Sequence, residues 1–179
     1  MLEIACFTPS SCITAHASGA DRIELCTNYT AGGTTPSLST LLSIRQPIPP
    51  PFPILIMIRP RPGDFCYSTS EFEAMRHDIA LFSSVASGFV FGILDSNGRV
   101  DVARNSELVD IAGELACTFH RAIDEVDVEE WEEEVEKVVQ CGFRRILTSG
   151  RGERVMDGLS GVKGLVERFG GRVEVVAGG

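Results

Sequence analysis

Seven short apolar runs recur along the chain at spacings of about 20 to 35 residues, and the segments between them carry hydrophobic residues at helical spacing. The runs are Leu2 to Phe7, Arg22 to Cys26, Ile54 to Ile58, Gly88 to Asp95, Ala116 to His120, Arg145 to Gly150 and Val173 to Ala177. Runs this short read as strands, and strands joined by helical crossovers give a parallel α/β domain. Polar residues stand at the carboxyl end of nearly every run. That distribution suits an eight-fold barrel, whereas an open doubly wound sheet gathers its site at one switch point and opens with a Gly-rich fingerprint that is missing after the first run. The expectation is one (β/α)8 TIM-type barrel domain over residues 1–179, C-terminally incomplete, with seven strands and six helices.

Local signals place the helices. Pro9-Ser10-Ser11 reads as a turn whose hydroxyls cap a helix from Cys12 to Ser18, ended by Gly19. Thr35-Pro36 opens the second helix, Ser70 caps the third, and Asp101 to Leu115 forms the fourth. Asp127, with Glu130 as capping-box partner, opens an acidic helix whose glutamates from Glu129 to Glu136 read as a solvated face without a functional role. Val155 to Phe169 supplies the sixth. The proline-rich QPIPPPFP segment at 46–53 is an extended connector within the domain.

Composition excludes several classes of function. With 25 acidic against 16 basic residues the net charge is -9, which repels polyanions, so nucleic acid is excluded as a main partner. No apolar run approaches the roughly 18 residues of a membrane span, and the first residues lack a leader pattern, so a soluble, intracellular protein is expected. The six cysteines include no CxxC pair and read as reduced thiols.

The third run leads from hydrocarbon into dense polar chemistry, ILIMIRPRPGDFCYS at 54–68. Arg59 and Arg61 share strand parity, so their guanidinium groups leave on one face, while Pro60 and Pro62 stop the strand and Gly63-Asp64 turns the chain beside them. Charged residues inside other runs, Glu3, Glu24, His120 and Arg121, need partners if buried, and a barrel mouth would provide them. Asp124 follows the fifth run. Two readings stand open: a structural ion network, or an acid–base site using Glu24, His120 and Asp124 on a small anionic substrate bound by Arg59, Arg61, Asp64, Arg121, Thr148 and Ser149. Cys6 and Cys26 end neighbouring strands and suit a soft cation such as Cu(I). Parity opposes that pair, because Cys26 shares a face with Glu24 while Cys6 falls on the side opposite Glu3; a bulge at the end of the first strand would reconcile them.

The motifs together resemble the CutC family of copper homeostasis proteins: GADRIELC at 19–26, GGTTPS at 32–37, IRPRPGDFCYS at 58–68, TFHRAID at 118–124 and LTSG at 147–150. The resemblance runs along the whole chain. It implies a (β/α)8 barrel, a cytoplasmic location, a tendency to homo-oligomers, and copper handling through the cysteines matching Cys6 and Cys26. The family's charged mouth resembles an enzyme site more than a chaperone, which keeps the small anionic ligand in play beside the copper ion. Pro62 stands where the family has glycine, and the junction LFSSVASGFVFG is shorter than the family's. The seventh run ends at the last residues, whereas such barrels ordinarily take at least about 200. A shortened, inactive family member is therefore a further reading, and unpaired strand edges are expected to favour association.

Overall fold

The computed structural model describes all residues, Met1–Gly179. Its elements alternate without exception: β1 (Glu3–Cys6), α1 (Pro9–Ala17), β2 (Arg22–Leu25), α2 (Leu38–Arg45), β3 (Ile54–Met57), α3 (Thr69–Phe82), β4 (Gly88–Phe91), α4 (Val102–Ala112), β5 (Ala116–Phe119), α5 (Trp131–Gln140), β6 (Arg145–Thr148), α6 (Leu159–Phe169) and β7 (Glu174–Ala177). The seven strands and six helices read from the apolar periodicity are thus all present. Short 3-10 segments occupy Tyr29–Ala31 and Arg121–Glu125. No helix is long and apolar enough to cross a membrane.

The chain divides into two compact units, residues 1–63 with 70–90, and residues 64–69 with 91–179. In the first, β1, β2, β3 and β4 pair in parallel in chain order, in a register that sets Cys6 beside Leu25, Glu24 beside Leu55 and Met57 beside Val90. Alternation along a strand then fixes two faces. Ile23, Leu25, Ile54 and Ile56, all fully buried, turn to the helix-covered face, where Cys12 of α1 and Leu41 and Ile44 of α2 are buried as well. Each such side chain contributes about 2 kcal/mol by leaving water. The opposite face carries a cluster of Cys26, Leu55, Met57 and Val90 with Phe7 against it. Arg45, at the end of α2, donates to the carbonyls of Phe52 at 2.7 Å and Val85 at 3.2 Å and to the Ser87 hydroxyl at 3.0 Å, which anchors the proline-rich connector.

In the second unit β5, β6 and β7 are parallel and in chain order. Phe143 packs against Phe91 and Phe119 with ring centroids 4.9 and 5.2 Å away. The acidic helix departs from expectation. Asp127 caps only a turn, accepting the Glu129 N–H at 2.9 Å, and α5 starts at Trp131 with no side-chain cap. Nor is its acidic face uniformly solvated: Glu134 is 1% exposed, takes the Val100 N–H at 2.7 Å and pairs with Lys137 at 2.6 Å. A charged residue at a buried helix position is tolerated here because a strand-loop amide and an ammonium both meet it.

Candidate functional site

The carboxyl end of β1 is built by a short connection. Only Phe7 and Thr8 separate β1 from α1, so the first turn of the helix folds back over the strand end. Thr8 is the N-cap: its hydroxyl accepts the Ser11 N–H at 3.1 Å, and the Ser11 hydroxyl accepts the N–H groups of Thr8 at 3.1 Å and Phe7 at 3.3 Å. This reciprocal cap is worth about 1 kcal/mol and locks the angle of entry. Pro9 occupies the first turn, where its missing N–H costs nothing. The helix therefore begins three residues before the expected Cys12. Cys12 falls one turn inside it, on the face turned to β1.

Cys12 is fully buried and Cys6 is 1% exposed, and each thiol perturbs the acidity of the other. The Cys6 thiol is lowered to about 7, chiefly by its neighbour Cys12, with burial opposing and Ser11 helping. Cys12 is driven far up, first by its neighbour Cys6 and then by burial.

Cys26 is elsewhere. Register puts Cys6 on the helix-covered face with Leu25, and Cys26 on the other face with Glu24, so the parity argument made from sequence holds for the backbone. The Cys26 thiol donates to Glu24 Oε1 at 3.6 Å under Gly33, a left-handed residue (φ 91°) whose added Cβ would lie 3.4 Å from the sulfur. Burial and the Glu24 carboxyl push the Cys26 thiol up. Glu24 is 5% exposed; burial, then the neighbouring Glu3, raise its carboxyl to about 7, with the Cys26 thiol pulling the other way. Glu3 itself pairs with Arg22.

Arg59 is a staple in this unit. It is 7% exposed, and its guanidinium donates to the carbonyls of Ala31 at 3.1 Å, Gly33 at 3.2 Å and Gly63 at 2.7 Å, while its N–H meets the Thr35 hydroxyl at 2.9 Å. Arg61, half-buried, pairs with Glu71 at 2.6 Å. The two arginines thus take different partners, and nothing in the strand's own residues disclosed the loop carbonyls that hold Arg59.

In the second unit Asp64 is exposed and turns its loop by accepting the Cys66 N–H at 3.2 Å. His120 is 4% exposed; its Nδ1 accepts the Ala122 N–H at 3.3 Å, which caps the 3-10 segment, and its ring lies 4.7 Å from that of Phe65. Gly92 is obligatory beneath it, since a Cβ there would fall 2.8 Å from Nδ1. Asp124 holds the end of β6. Its carboxylate accepts the Thr148 hydroxyl, the N–H groups of Ser149 at 2.9 Å and Arg151 at 3.3 Å, and Arg121 Nε at 3.1 Å. Arg121 also reaches the Ser149 hydroxyl at 3.0 Å. The strand end expected to offer hydroxyls and amides to an anion already holds one, the protein's own carboxylate. Arg121, Asp124, Thr148 and Ser149 thus form one hydrogen-bonded unit, while His120 takes the Ala122 N–H and packs on Phe65.

Comparison with known proteins agrees with this architecture. The CutC family profile matches residues 1–179. The chain is 42% identical to a family protein CutC from Chromobacterium violaceum, over 99% of this chain and 71% of that one, and 40% identical to the human copper homeostasis protein cutC homolog, over 100% and 64%. It thus spans roughly two thirds of the length of such relatives. Among solved structures, a copper homeostasis protein CutC from Streptococcus agalactiae superposes with a TM-score of 0.90 at 29% identity, covering 98% of this chain and 86% of that one. A 2,3-dimethylmalate lyase superposes with a TM-score of 0.66 at 13% identity, a likeness of fold alone. With seven parallel strands alternating with six helices and the TIM-type architecture of that structure, the chain belongs to the CutC family.

Proposed function

We propose that this chain acts in copper homeostasis by carrying Cu(I) on the paired sulfurs of Cys6 and Cys12. The observation that carries this reading is that both thiols are buried at the junction of β1 and α1, near enough for each to perturb the other's acidity. Cu(I) is a soft cation that favours thiolate donors, and two neighbouring buried sulfurs suit it. No group of three or more His, Cys, Asp or Glu side chains converges on one point, so a site for a harder, higher-coordinate metal finds no support. Cys26 lies on the other strand face with Glu24 as its partner, which favours Cys12 over Cys26 as the second donor.

The test is competition for Cu(I) against a coloured chelator, using the reduced chain. One Cu(I) per chain is expected, with affinity falling at least tenfold in Cys6→Ser and in Cys12→Ser and unchanged in Cys26→Ser. Loss in Cys26→Ser with no effect in Cys12→Ser would restore the pairing of Cys6 with Cys26 and refute this one. The rival reading, a small anionic substrate held by Arg59 and Arg61, is less favoured because both guanidiniums already serve protein acceptors. Thermal stabilisation by phosphate or a carboxylate, lost in Arg61→Ala, would support the rival.

A further inference from the structure

The carboxyl end of β2 runs into a short loop that folds back on itself. Thr27 and Thr34 exchange both backbone hydrogen bonds at 3.0 Å, and the chain between them turns through Asn28 (φ 56°), the 3-10 segment, Gly32 (φ 74°) and Gly33 (φ 91°). A loop with paired ends and left-handed turning points can move as one piece about its base. Beneath it lie Cys26, 2% exposed, and its partner Glu24. Gly33 is the cover, since a Cβ there would lie 3.4 Å from the Cys26 sulfur and 3.7 Å from the Phe7 ring. Little of the loop itself is buried. Thr27, Asn28, Tyr29, Thr30 and Gly32 are all exposed, so closure draws little on the hydrophobic effect.

Two contacts hold the loop down. Arg59 donates to the carbonyls of Ala31 at 3.1 Å and Gly33 at 3.2 Å, both within the loop, and to that of Gly63 at 2.7 Å outside it. The Tyr29 ring meets Phe7 edge-on, with centroids 5.1 Å apart. A pair of guanidinium hydrogen bonds and one aromatic edge are small enough forces to release together while the strands beneath stay paired. We infer that residues 27–34 are a lid, hinged at the Thr27–Thr34 pair and latched by Arg59 and by Tyr29 on Phe7, which opens without unfolding its unit and gives small solutes access to the Cys26 thiol and the Glu24 carboxyl. The Glu24 carboxyl takes a thiol, a weak donor, at 3.6 Å, and a carboxyl buried on so weak a bond gains when water reaches it. Arg59 is then the latch, and Gly33 the residue that lets the closed lid lie against the sulfur.

The experiment compares the reduced wild type with Arg59→Ala and Gly33→Ala, by hydrogen exchange of the loop amides and by iodoacetamide labelling of Cys26 against Cys12. Gly33→Ala keeps the latch and strains the closed lid at a left-handed residue, so the two variants act on closure by unrelated routes. In the wild type the Thr27, Gly33 and Thr34 amides are expected to share one protection factor that dilute urea leaves unchanged, because a local opening exposes little surface. In both variants those amides exchange, and Cys26 labels, about tenfold faster or more, while Cys12, buried in α1, and the amides of β2 and β3 keep their wild-type rates. Wild-type protection that falls steeply with dilute urea overturns the lid without recourse to any variant. Equal acceleration at Cys12 and Cys26 means that the whole unit unfolds, and it overturns the lid as well. Loop amides that accelerate while Cys26 labels at its wild-type rate overturn the access to Cys26, and amides unchanged in both variants overturn the latch.

Discussion

Glu24→Gln isolates the energetic consequence of a carboxyl buried on β2. The folded carboxyl is raised from its ordinary 4.5 to about 7, first by burial and then by Glu3. An unfolded chain releases this proton near 4.5 while the folded chain keeps it to about 7, so the folded state binds the extra proton between those values. Stability contributed by this group is therefore full below about 4.5, declines as pH rises, and is lost above about 7. The slope is about 1.4 kcal/mol per pH unit and the total about 3 kcal/mol. Glutamine has nearly the same shape and still accepts the Cys26 thiol, but it does not titrate. Urea unfolding of both proteins at intervals from pH 4.5 to 8 should show the wild type losing about 3 kcal/mol relative to the variant across that window. Subtracting the variant cancels the other ionising groups. Two parallel curves, or a wild type that gains relative to the variant as pH rises, would refute the assignment of a protonated Glu24.

Further substitutions test the other units of the account. Asp124→Asn removes the charge that five donors share and should cost about 3 kcal/mol in urea unfolding; a change under about 0.5 kcal/mol would show that the end of β6 does not depend on it. Arg59→Ala leaves the carbonyls of Ala31, Gly33 and Gly63 without their guanidinium, so limited proteolysis should cut within residues 28–36 at least tenfold faster. Gly92→Ala drives a methyl into His120 and Phe119 and should lower stability by about 1 to 3 kcal/mol.

The fold was legible because strand and helix periods differ so plainly in this chain. Ile54, Ile56 and Leu55 fill both faces of β3 and admit only a buried strand, while Phe72, Met75, Ile79 and Phe82 admit only a helix stripe, and all seven are buried. The site was legible by residue type more than by role. Arg121, Asp124, Thr148 and Ser149 do meet, but strand-end chemistry gives no sign that Asp124 would occupy the anion-holding amides itself. Cys12 was missed for a local reason. Pro9-Ser10-Ser11 reads as a turn, and only the reciprocal cap of Thr8 and Ser11 reveals that the helix starts at Pro9 and buries Cys12 one turn inside it. Glu134 was misread because an acidic run looks solvated when its contact with Val100, 34 residues away in sequence, is unknown.

Copper K-edge X-ray absorption on the reduced chain with one equivalent of Cu(I) bears most directly on the central claim. Two sulfur donors are expected in the wild type and in Cys26→Ser, with sulfur lost from the first shell in Cys6→Ser and in Cys12→Ser. A spectrum unchanged by Cys12→Ser but altered by Cys26→Ser would contradict it.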